Sequence, residues 1–178
     1  MSPNLPDYYA LLGLDERYHL DPRRLREAYL QHARAHHPDH NAQTADTANQ
    51  STALVNQAYQ TLLDPHARLA YLLQRYGYLD ASGKAEAQLP QAFLMEMLEL
   101  NEAVDELTAK TDAETVRRLQ TEIDARQAEL QAELAQTLAA FDGSAATDRA
   151  ASLAPVLTGY LQQRYLLRLA EKLRSFAR

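Results

Sequence analysis

Side chains suited to metal binding or acid–base reactions are concentrated in one short stretch of this sequence. Four of the six histidines, His32, His36, His37 and His40, lie within nine residues. His32 and His36 are four residues apart, so on a helix they share one face and could bind the same metal ion. The stretch lacks the glutamate that follows the first histidine of a zinc-protease helix. We therefore interpret these histidines as core or surface residues, expect no bound metal, and keep a metal site as the alternative.

The tripeptide His37-Pro38-Asp39 ends a helical pattern that begins at Pro22. Pro38 has no backbone N–H and disfavours the helical conformation of the preceding residue, so the helix should end near His36. His37 and Asp39 then lie on a rigid turn, where their side chains can point at solvent or at a partner. Short motifs also occur by chance, so a plain helix stop followed by a polar loop is the alternative.

The segments on either side of this turn favour a functional interpretation. Tyr8–Leu14 reads YYALLGL, and Val55–Pro65 reads VNQAYQTLLDP. The three motifs, in this order and at these distances, resemble the J-domain of a co-chaperone for Hsp70-type ATPases. The resemblance implies that the Hsp70-binding residues are His37, Pro38 and Asp39 on the turn and Arg34, Arg26 and Arg23 on the helix before it.

One pair of residues departs from the pattern of generalist J-domains. The helix tyrosine Tyr29 is followed by Leu30 and Gln31, where generalist J-domains usually carry a basic pair. The resemblance therefore implies a dedicated ATPase partner. It implies no catalysis by this chain, because a J-domain stimulates hydrolysis by favouring one conformation of its partner. We expect a non-catalytic protein without a cofactor.

The composition indicates an all-α fold and argues against several classes of protein. Helix-forming Ala, Leu, Gln and Glu dominate, and neither a short hairpin motif nor sustained period-two alternation occurs. The net charge of −6 argues against a nucleic-acid partner, and the absence of cysteine excludes disulfides and thiolate metal or cluster sites. Neither a membrane-spanning apolar run nor a targeting segment is evident, so we expect a cytoplasmic protein with no membrane partner.

Proline, glycine and apolar patterns divide the chain into three parts. Residues 1–77 form the predicted J-domain, a helical hairpin braced by short helices, and residues 78–90 form a linker or docking segment. Residues 91–178 contain three apolar stripes at helical spacing with short connections, which predict an antiparallel three-helix bundle. Thr111 and Glu114 have the spacing of a capping box for its second helix. A coiled-coil dimer is the alternative to the expected monomer.

Charge is also divided within the predicted bundle. Residues 91–134 carry eleven acidic against four basic side chains, whereas residues 149–178 carry six basic against one acidic. This division predicts ion pairs between adjacent helices, which contribute little energy at exposed positions but can set the helix order.

The first helix of the bundle has two apolar faces on a helical wheel. The predicted core face contains Phe93, Met97, Leu100, Val104 and Leu107. The opposite face contains Met95, Leu98, Glu99, Glu102 and Glu106, with Leu94 at its border. Burial within a three-helix bundle does not explain this second face, although single exposed apolar residues are normal. Its functional interpretation is a docking surface with apolar anchors and glutamates that face a basic partner.

This helix carries a second and more specific resemblance. Residues 93–106 read FLMEMLELNEAVDE and, with the two predicted domains, are similar to the HscB family of J-domain co-chaperones of iron–sulfur cluster biogenesis. The resemblance implies that the C-terminal domain binds a cluster scaffold of the IscU type and that the J-domain delivers it to an Hsp70 of the HscA type. By position, the scaffold-binding residues are Leu94, Met95, Leu98, Glu99, Glu102 and Glu106, with Tyr160 on the last helix as a contributing aromatic residue. The alternative is a J-domain co-chaperone for another Hsp70 with a helical client adaptor.

Overall fold

The computed structural model describes residues 5–35, 45–85, 89–108, 112–145 and 147–176, and over these ranges the chain is all-helical. The helices are α1 (Tyr8–Leu11), α2 (Pro22–Ala35), α3 (Ala45–Leu63), α4 (Pro65–Arg75), α5 (Gln91–Asp105), α6 (Ala113–Gly143) and α7 (Arg149–Phe176). The predicted all-α fold is confirmed. Across these ranges, no helix is both long enough and apolar enough to cross a membrane.

The described residues form two compact units. The first unit comprises Met1–Ala85 together with Phe141–Arg149, and the second comprises Glu86–Ala140 together with Ala150–Arg178. The division after Ala85 falls within the segment 78–90, and the domain ends predicted at residues 77 and 90 stay predictions. The short segment between α6 and α7 groups with the N-terminal unit, which the sequence pattern did not indicate.

Aspartate followed by proline sets the start of two helices in the first unit. Asp64 accepts a hydrogen bond from the Ala67 N–H at 2.7 Å, directly before Pro65 at the start of α4. Asp21 accepts from the amide two residues later at 2.9 Å, directly before Pro22 at the start of α2. Each carboxylate satisfies one amide that the first helical turn leaves without a partner, and each proline lacks such an amide. The predicted start of α2 at Pro22 is confirmed, and α4 begins with the same pair of residue types.

The core of the first unit forms where α1, α2 and α4 pack on α3. Its most deeply buried side chains include Tyr9, Leu25, Ala58, Leu62 and Leu72. The rings of Tyr29 on α2 and Tyr59 on α3 stack with their centroids 4.3 Å apart. Because Leu25 and Tyr29 pack into this core, residues of α2 can face solvent only on the opposite side of the helix.

The segment 141–149 is hydrogen-bonded to the loop between α1 and α2. The Asp142 carboxylate accepts the backbone N–H groups of Tyr18 and His19 at 2.5 and 2.9 Å. The Nδ1 atom of His19 lies 2.7 Å from the same carboxylate, whose side chain is only 12% exposed. These contacts join parts of the chain that are more than 120 residues apart.

Glu16 ties the same segment to the end of α4. Its carboxylate pairs with Arg75 at 2.7 Å and with Arg149 at 3.1 Å, and it accepts the Tyr76 hydroxyl at 2.5 Å. Burial, followed by the hydrogen bond to Glu16, raises the pKa of Tyr76 to about 12. The Phe141 ring packs edge-on against Tyr76, so the last apolar residue of the α6 stripe lies in the N-terminal unit.

The second unit is a three-helix bundle. Phe93 and Asn101 of α5 contact Tyr165 and Lys172 of α7, in the same order along both helices, so these two helices run parallel. The short connections before and after α6 favour an antiparallel direction for that helix. The predicted core is confirmed by burial of Phe93, Met97, Leu100 and Val104 on α5, Leu119, Ile123, Leu130, Leu134 and Leu138 on α6, and Leu153, Val156, Leu169 and Leu173 on α7.

The start of α6 differs from the predicted capping box. Asp112 is the capping residue, and its carboxylate accepts the Thr115 N–H at 2.8 Å and the Thr115 hydroxyl at 2.9 Å. These bonds lower the pKa of the Asp112 carboxyl, since they favour its charged form. Thr111 lies outside the described residues. An aspartate at this position caps the helix and places a negative charge at its positive end.

Of two ion pairs between helices of the bundle, Lys172 with Asp105 follows the predicted division of charge, whereas Arg126 and Glu96 both belong to residues 91–134. Arg126 of α6 pairs with Glu96 of α5 at 3.1 Å, and Lys172 of α7 pairs with Asp105 of α5. The helices α6 and α7 approach closely at Gly159, where an added Cβ atom would lie 2.6 Å from Leu134 Cδ2.

Candidate partner-binding surfaces

The helix α5 presents an exposed apolar face opposite its buried one. Leu94, Met95 and Leu98 are 45%, 61% and 55% exposed, whereas Met97 and Val104 on the buried side are fully enclosed. Three exposed glutamates lie on the same outer side. We name this surface the α5 strip, and it consists of Leu94, Met95, Leu98, Glu99, Glu102 and Glu106. The structure therefore places all six predicted scaffold-binding residues of this helix on one accessible surface.

Contacts along both edges of α5 set the direction in which the α5 strip points. On one edge, Glu96 pairs with Arg126 of α6 at 3.1 Å. On the other edge, Lys172 of α7 pairs with Asp105 and donates to the Asn101 side-chain oxygen at 2.9 Å. With the buried face in the core, these contacts hold α5 on three sides and leave the fourth side exposed.

The glutamates of the α5 strip form a row of negative charge. Glu99, Glu102 and Glu106 are three and four residues apart, so they lie on successive turns of one face. Over the part of the chain that the structure describes, none of the three pairs with a basic side chain. A row of free carboxylates beside exposed leucine and methionine side chains suits a partner with basic groups around an apolar surface.

Tyr160, the predicted aromatic contact on α7, lies in the core of the bundle. This residue is buried, with 5% of its surface exposed, and the Arg164 guanidinium lies 5.7 Å from the centroid of its ring. The apolar spacing on α7 allowed either Tyr160 or Leu161 to face inward, and the packing of α7 directs Tyr160 into the core. Tyr160 is therefore a core residue of the bundle, and its contribution to scaffold binding stays a prediction.

Another aromatic residue of α7, Tyr165, contacts α5. Tyr165 is partly exposed, and its ring packs edge-on against Phe93 with centroids 5.9 Å apart. Its position beside α5 depends on the register between α5 and α7, and the apolar period of either helix alone contains no signal of that register.

The helix α2 presents a basic face to solvent. Arg23, Arg26 and Arg34 are exposed, on the side opposite the buried Leu25. Among the described residues, none of these arginines has an acidic partner. Leu30, which is 39% exposed, lies on the same face. The structure places the three predicted arginines together, and their role in Hsp70 binding stays a prediction.

The turn that is expected to act with this basic face lies outside the described residues. This applies to His37, Pro38 and Asp39, and also to His36 and His40. The alternative metal site is therefore not tested by the structure. In the ranges that are described, no group of three or more His, Cys, Asp or Glu side chains is arranged to hold a metal ion.

Models of two domain families match most of the chain. The model described as the DnaJ domain matches residues 7–71, which include the basic face of α2. The model described as the HSCB C-terminal oligomerisation domain matches residues 89–174, which include the α5 strip. The two matches are adjacent and occur in the order that the sequence motifs predict.

Similarity to individual proteins extends over both matches. The chain is 37% identical over 114 residues to the co-chaperone protein HscB of Proteus mirabilis (strain HI4320), covering 62% of this chain and 65% of that protein. It superposes on the chaperone HscB from Vibrio cholerae with a TM-score of 0.65 and 28% identity, covering 96% of each chain. With the human co-chaperone protein HscB it shares the fold, at a TM-score of 0.68 and 24% identity, covering 98% of this chain and 83% of that one. The paired domain matches and these similarities show that the chain belongs to the HscB family.

Proposed function

We propose that this chain is a non-catalytic co-chaperone that links an iron–sulfur cluster scaffold protein of the IscU type to a specialised Hsp70 of the HscA type. The α5 strip binds the scaffold, and the N-terminal unit delivers it to the Hsp70. The turn at His37, Pro38 and Asp39, with the basic face of α2, stimulates the ATPase of that Hsp70. The protein acts as a monomer in the cytoplasm and requires no cofactor.

The observation that carries this proposal is the exposure of three apolar side chains on an otherwise acidic helix face. Leu94 and Leu98 are one helical turn apart, so a partner can cover both with one continuous apolar contact. Covering them removes apolar surface from water, which stabilises the complex by about 25 cal/mol for each Å². Membership of the HscB family supports a scaffold of cluster biogenesis as the occupant, and the glutamate row supports a basic contact surface on it.

Stimulation of the ATPase follows from preferential binding and requires no reacting group on this chain. The N-terminal unit shifts the Hsp70 toward hydrolysis if it binds the hydrolysing conformation more tightly than the resting one. The free arginines of α2 suit an acidic ATPase surface and increase the rate of encounter with it.

The double substitution Leu94→Ala with Leu98→Ala tests the scaffold-binding role. We expect it to weaken scaffold binding by more than about tenfold, because each buried anchor contributes roughly 1–3 kcal/mol. Isothermal titration of the purified scaffold into the full-length variant measures this loss. Leu167→Ala is the matched control, since Leu167 is an exposed leucine of α7 outside the α5 strip and its loss should leave binding unchanged.

Titration heats of the double variant equal to those of the unsubstituted chain would rule out the α5 strip as the scaffold site. If the unsubstituted chain stimulates an Hsp70 but does not retain the scaffold, the alternative function describes it better. The chain would then be a J-domain co-chaperone for another Hsp70, with a helical client adaptor as its C-terminal domain.

A further inference from the structure

Leu30 lies at the centre of the basic face of α2. At about 100° per residue, Arg23, Arg26 and Arg34 all fall within about 40° of its direction, whereas the buried Leu25 lies on the far side. Leu30 is 39% exposed and is the large apolar side chain of this face. A surface that worked by charge alone would not need a leucine between its arginines.

The exposure of Leu30 is imposed by the packing of α2. Tyr29, the preceding residue, stacks on Tyr59 with a centroid distance of 4.3 Å, and its hydroxyl donates to the Asn56 side-chain oxygen at 3.0 Å. Leu25, on the same side of the helix, is 1% exposed. Turning α2 to bury Leu30 would break these contacts, so Leu30 stays at the surface until a partner covers it.

The charge around Leu30 indicates the chemistry of that partner. Residues 22–35 carry four arginines against one glutamate, within a chain whose net charge is −6. The complementary surface is therefore acidic. A nucleic-acid backbone presents charge without an apolar recess, whereas a protein surface can offer an apolar centre with a polar rim, which is the arrangement that Leu30 and its arginines match.

We propose that Leu30 is a specificity-determining contact with the Hsp70. It enters an apolar recess with carboxylates at its rim, and it makes the dedicated Hsp70 a better partner than an Hsp70 whose equivalent site accepts a basic pair. The arginines attract both kinds of ATPase at long range, and Leu30 distinguishes them at contact, because a site built for two cations leaves charged groups unpaired against leucine. This inference rests on the proposed function, which names the partner but not the basis of its selection.

The test measures steady-state ATP hydrolysis by the dedicated Hsp70 and by a general Hsp70, each titrated with the full-length chain. Leu30→Ala should raise the concentration for half-maximal stimulation of the dedicated Hsp70 by about five- to tenfold, with the maximal rate unchanged. Stimulation of the general Hsp70 should stay the same. Alanine is a stronger helix former than leucine, so the variant keeps α2 intact. Leu63→Ala, at an exposed leucine outside the basic face, is the matched control and should change neither titration.

A second variant separates burial from charge. Leu30→Lys with Gln31→Arg adds two positive charges, and we expect it to weaken stimulation of the dedicated Hsp70 at least as much as Leu30→Ala and to strengthen stimulation of the general one. If this variant stimulates the dedicated Hsp70 as well as the unsubstituted chain does, or better, charge alone is sufficient and the inference is overturned. Equal titrations for Leu30→Ala and the unsubstituted chain would overturn it as well.

Two further outcomes identify a different error. If the unsubstituted chain stimulates neither Hsp70 and is indistinguishable from His37→Gln, the proposed function is wrong and this inference is overturned with it. If Leu30→Ala leaves hydrolysis unchanged but abolishes self-association in sedimentation velocity, or binding to a labelled DNA duplex, Leu30 faces a second copy or a nucleic acid and the inference is overturned.

Discussion

Asp142 is the single residue that most clearly joins distant parts of the N-terminal unit. Its carboxylate accepts two backbone amides, those of Tyr18 and His19, and also contacts the His19 ring. Hydrogen bonds to a charged acceptor are shorter and stronger than those between neutral groups. Removing the acceptor leaves the partly buried Tyr18 amide without its partner, which costs more than the bond itself contributes.

The substitution Asp142→Asn should loosen the loop between α1 and α2. The asparagine side chain has one acceptor oxygen in place of two, and its NH2 group would face a backbone N–H, which is also a donor. We therefore expect the loop to lose about 1–3 kcal/mol of local stability. Amide hydrogen exchange at Tyr18 and His19 should become faster. Asp148→Asn, at an exposed aspartate of the same segment, is the control and should leave both rates unchanged. Unaltered exchange in Asp142→Asn would show that these bonds do not hold the loop.

Among the helices, α6 and α7 approach each other closely because residue 159 of α7 is a glycine. Gly159 of α7 is buried, and an added Cβ atom would lie 2.6 Å from Leu134 Cδ2 and 3.1 Å from its Cγ. Glycine in a helix normally costs roughly 0.5–1 kcal/mol relative to alanine. Here the absence of a side chain allows the two helices to pack at this distance, and the close packing offsets that cost.

The substitution Gly159→Val should therefore destabilise the bundle despite its better helix propensity. Overpacking against Leu134 is expected to lower the free energy of unfolding by about 1–3 kcal/mol. Thermal unfolding followed by circular dichroism at the helix band measures the change. Ala154→Val, at an exposed position of the same helix, is the control, because it tests the β-branched side chain without the contact. If both variants melt at the same temperature, Leu134 moves aside without cost.

Across the whole molecule, buried tyrosines are concentrated in the N-terminal unit. Burial raises the pKa of Tyr9, Tyr18 and Tyr71 above their ordinary value of 10.0, and burial together with Glu16 raises that of Tyr76 to about 12. The hydroxyls of Tyr9 and Tyr71 donate to backbone carbonyl oxygens at 2.8 and 2.9 Å, and these bonds need the protonated form. These tyrosines therefore ionise at a higher pH in the folded unit than in the unfolded chain.

This difference predicts that the N-terminal unit loses stability in alkaline solution. Because the folded pKa values lie above the unfolded value of 10.0, the stabilisation is complete below that pH and is lost as the pH rises toward about 12, the pKa of Tyr76. Chemical unfolding midpoints across this range should fall with pH. Tyr76→Phe keeps the ring against Phe141 but removes one titrating hydroxyl, so its midpoint should fall less steeply. Parallel pH profiles for the two proteins would contradict this role of Tyr76.

Most of the helices and both candidate surfaces could be predicted from the sequence, because they depend on local features. Apolar residues at helical spacing identified the three helices of the bundle and the core face of α5, and the helical pattern from Pro22 located the start of α2. The α5 strip followed from the same periodicity, since Leu98 and Met95 fall outside the core arc and were expected at the surface. Local chain geometry determines which residues share a helix face, and it needs no information about the neighbouring helices.

Features that depend on packing between distant segments could not be predicted in this way. The inward position of Tyr160, where Leu161 was an equal candidate, depends on the contacts of α7 with its neighbours. Phe141 belongs to the N-terminal unit through its contact with Tyr76 of a distant segment, and the bonds between Asp142 and the α1–α2 loop join residues more than 120 positions apart. No period or motif encodes such contacts, because their energies arise only when the folded chain brings the partners together and removes them from water.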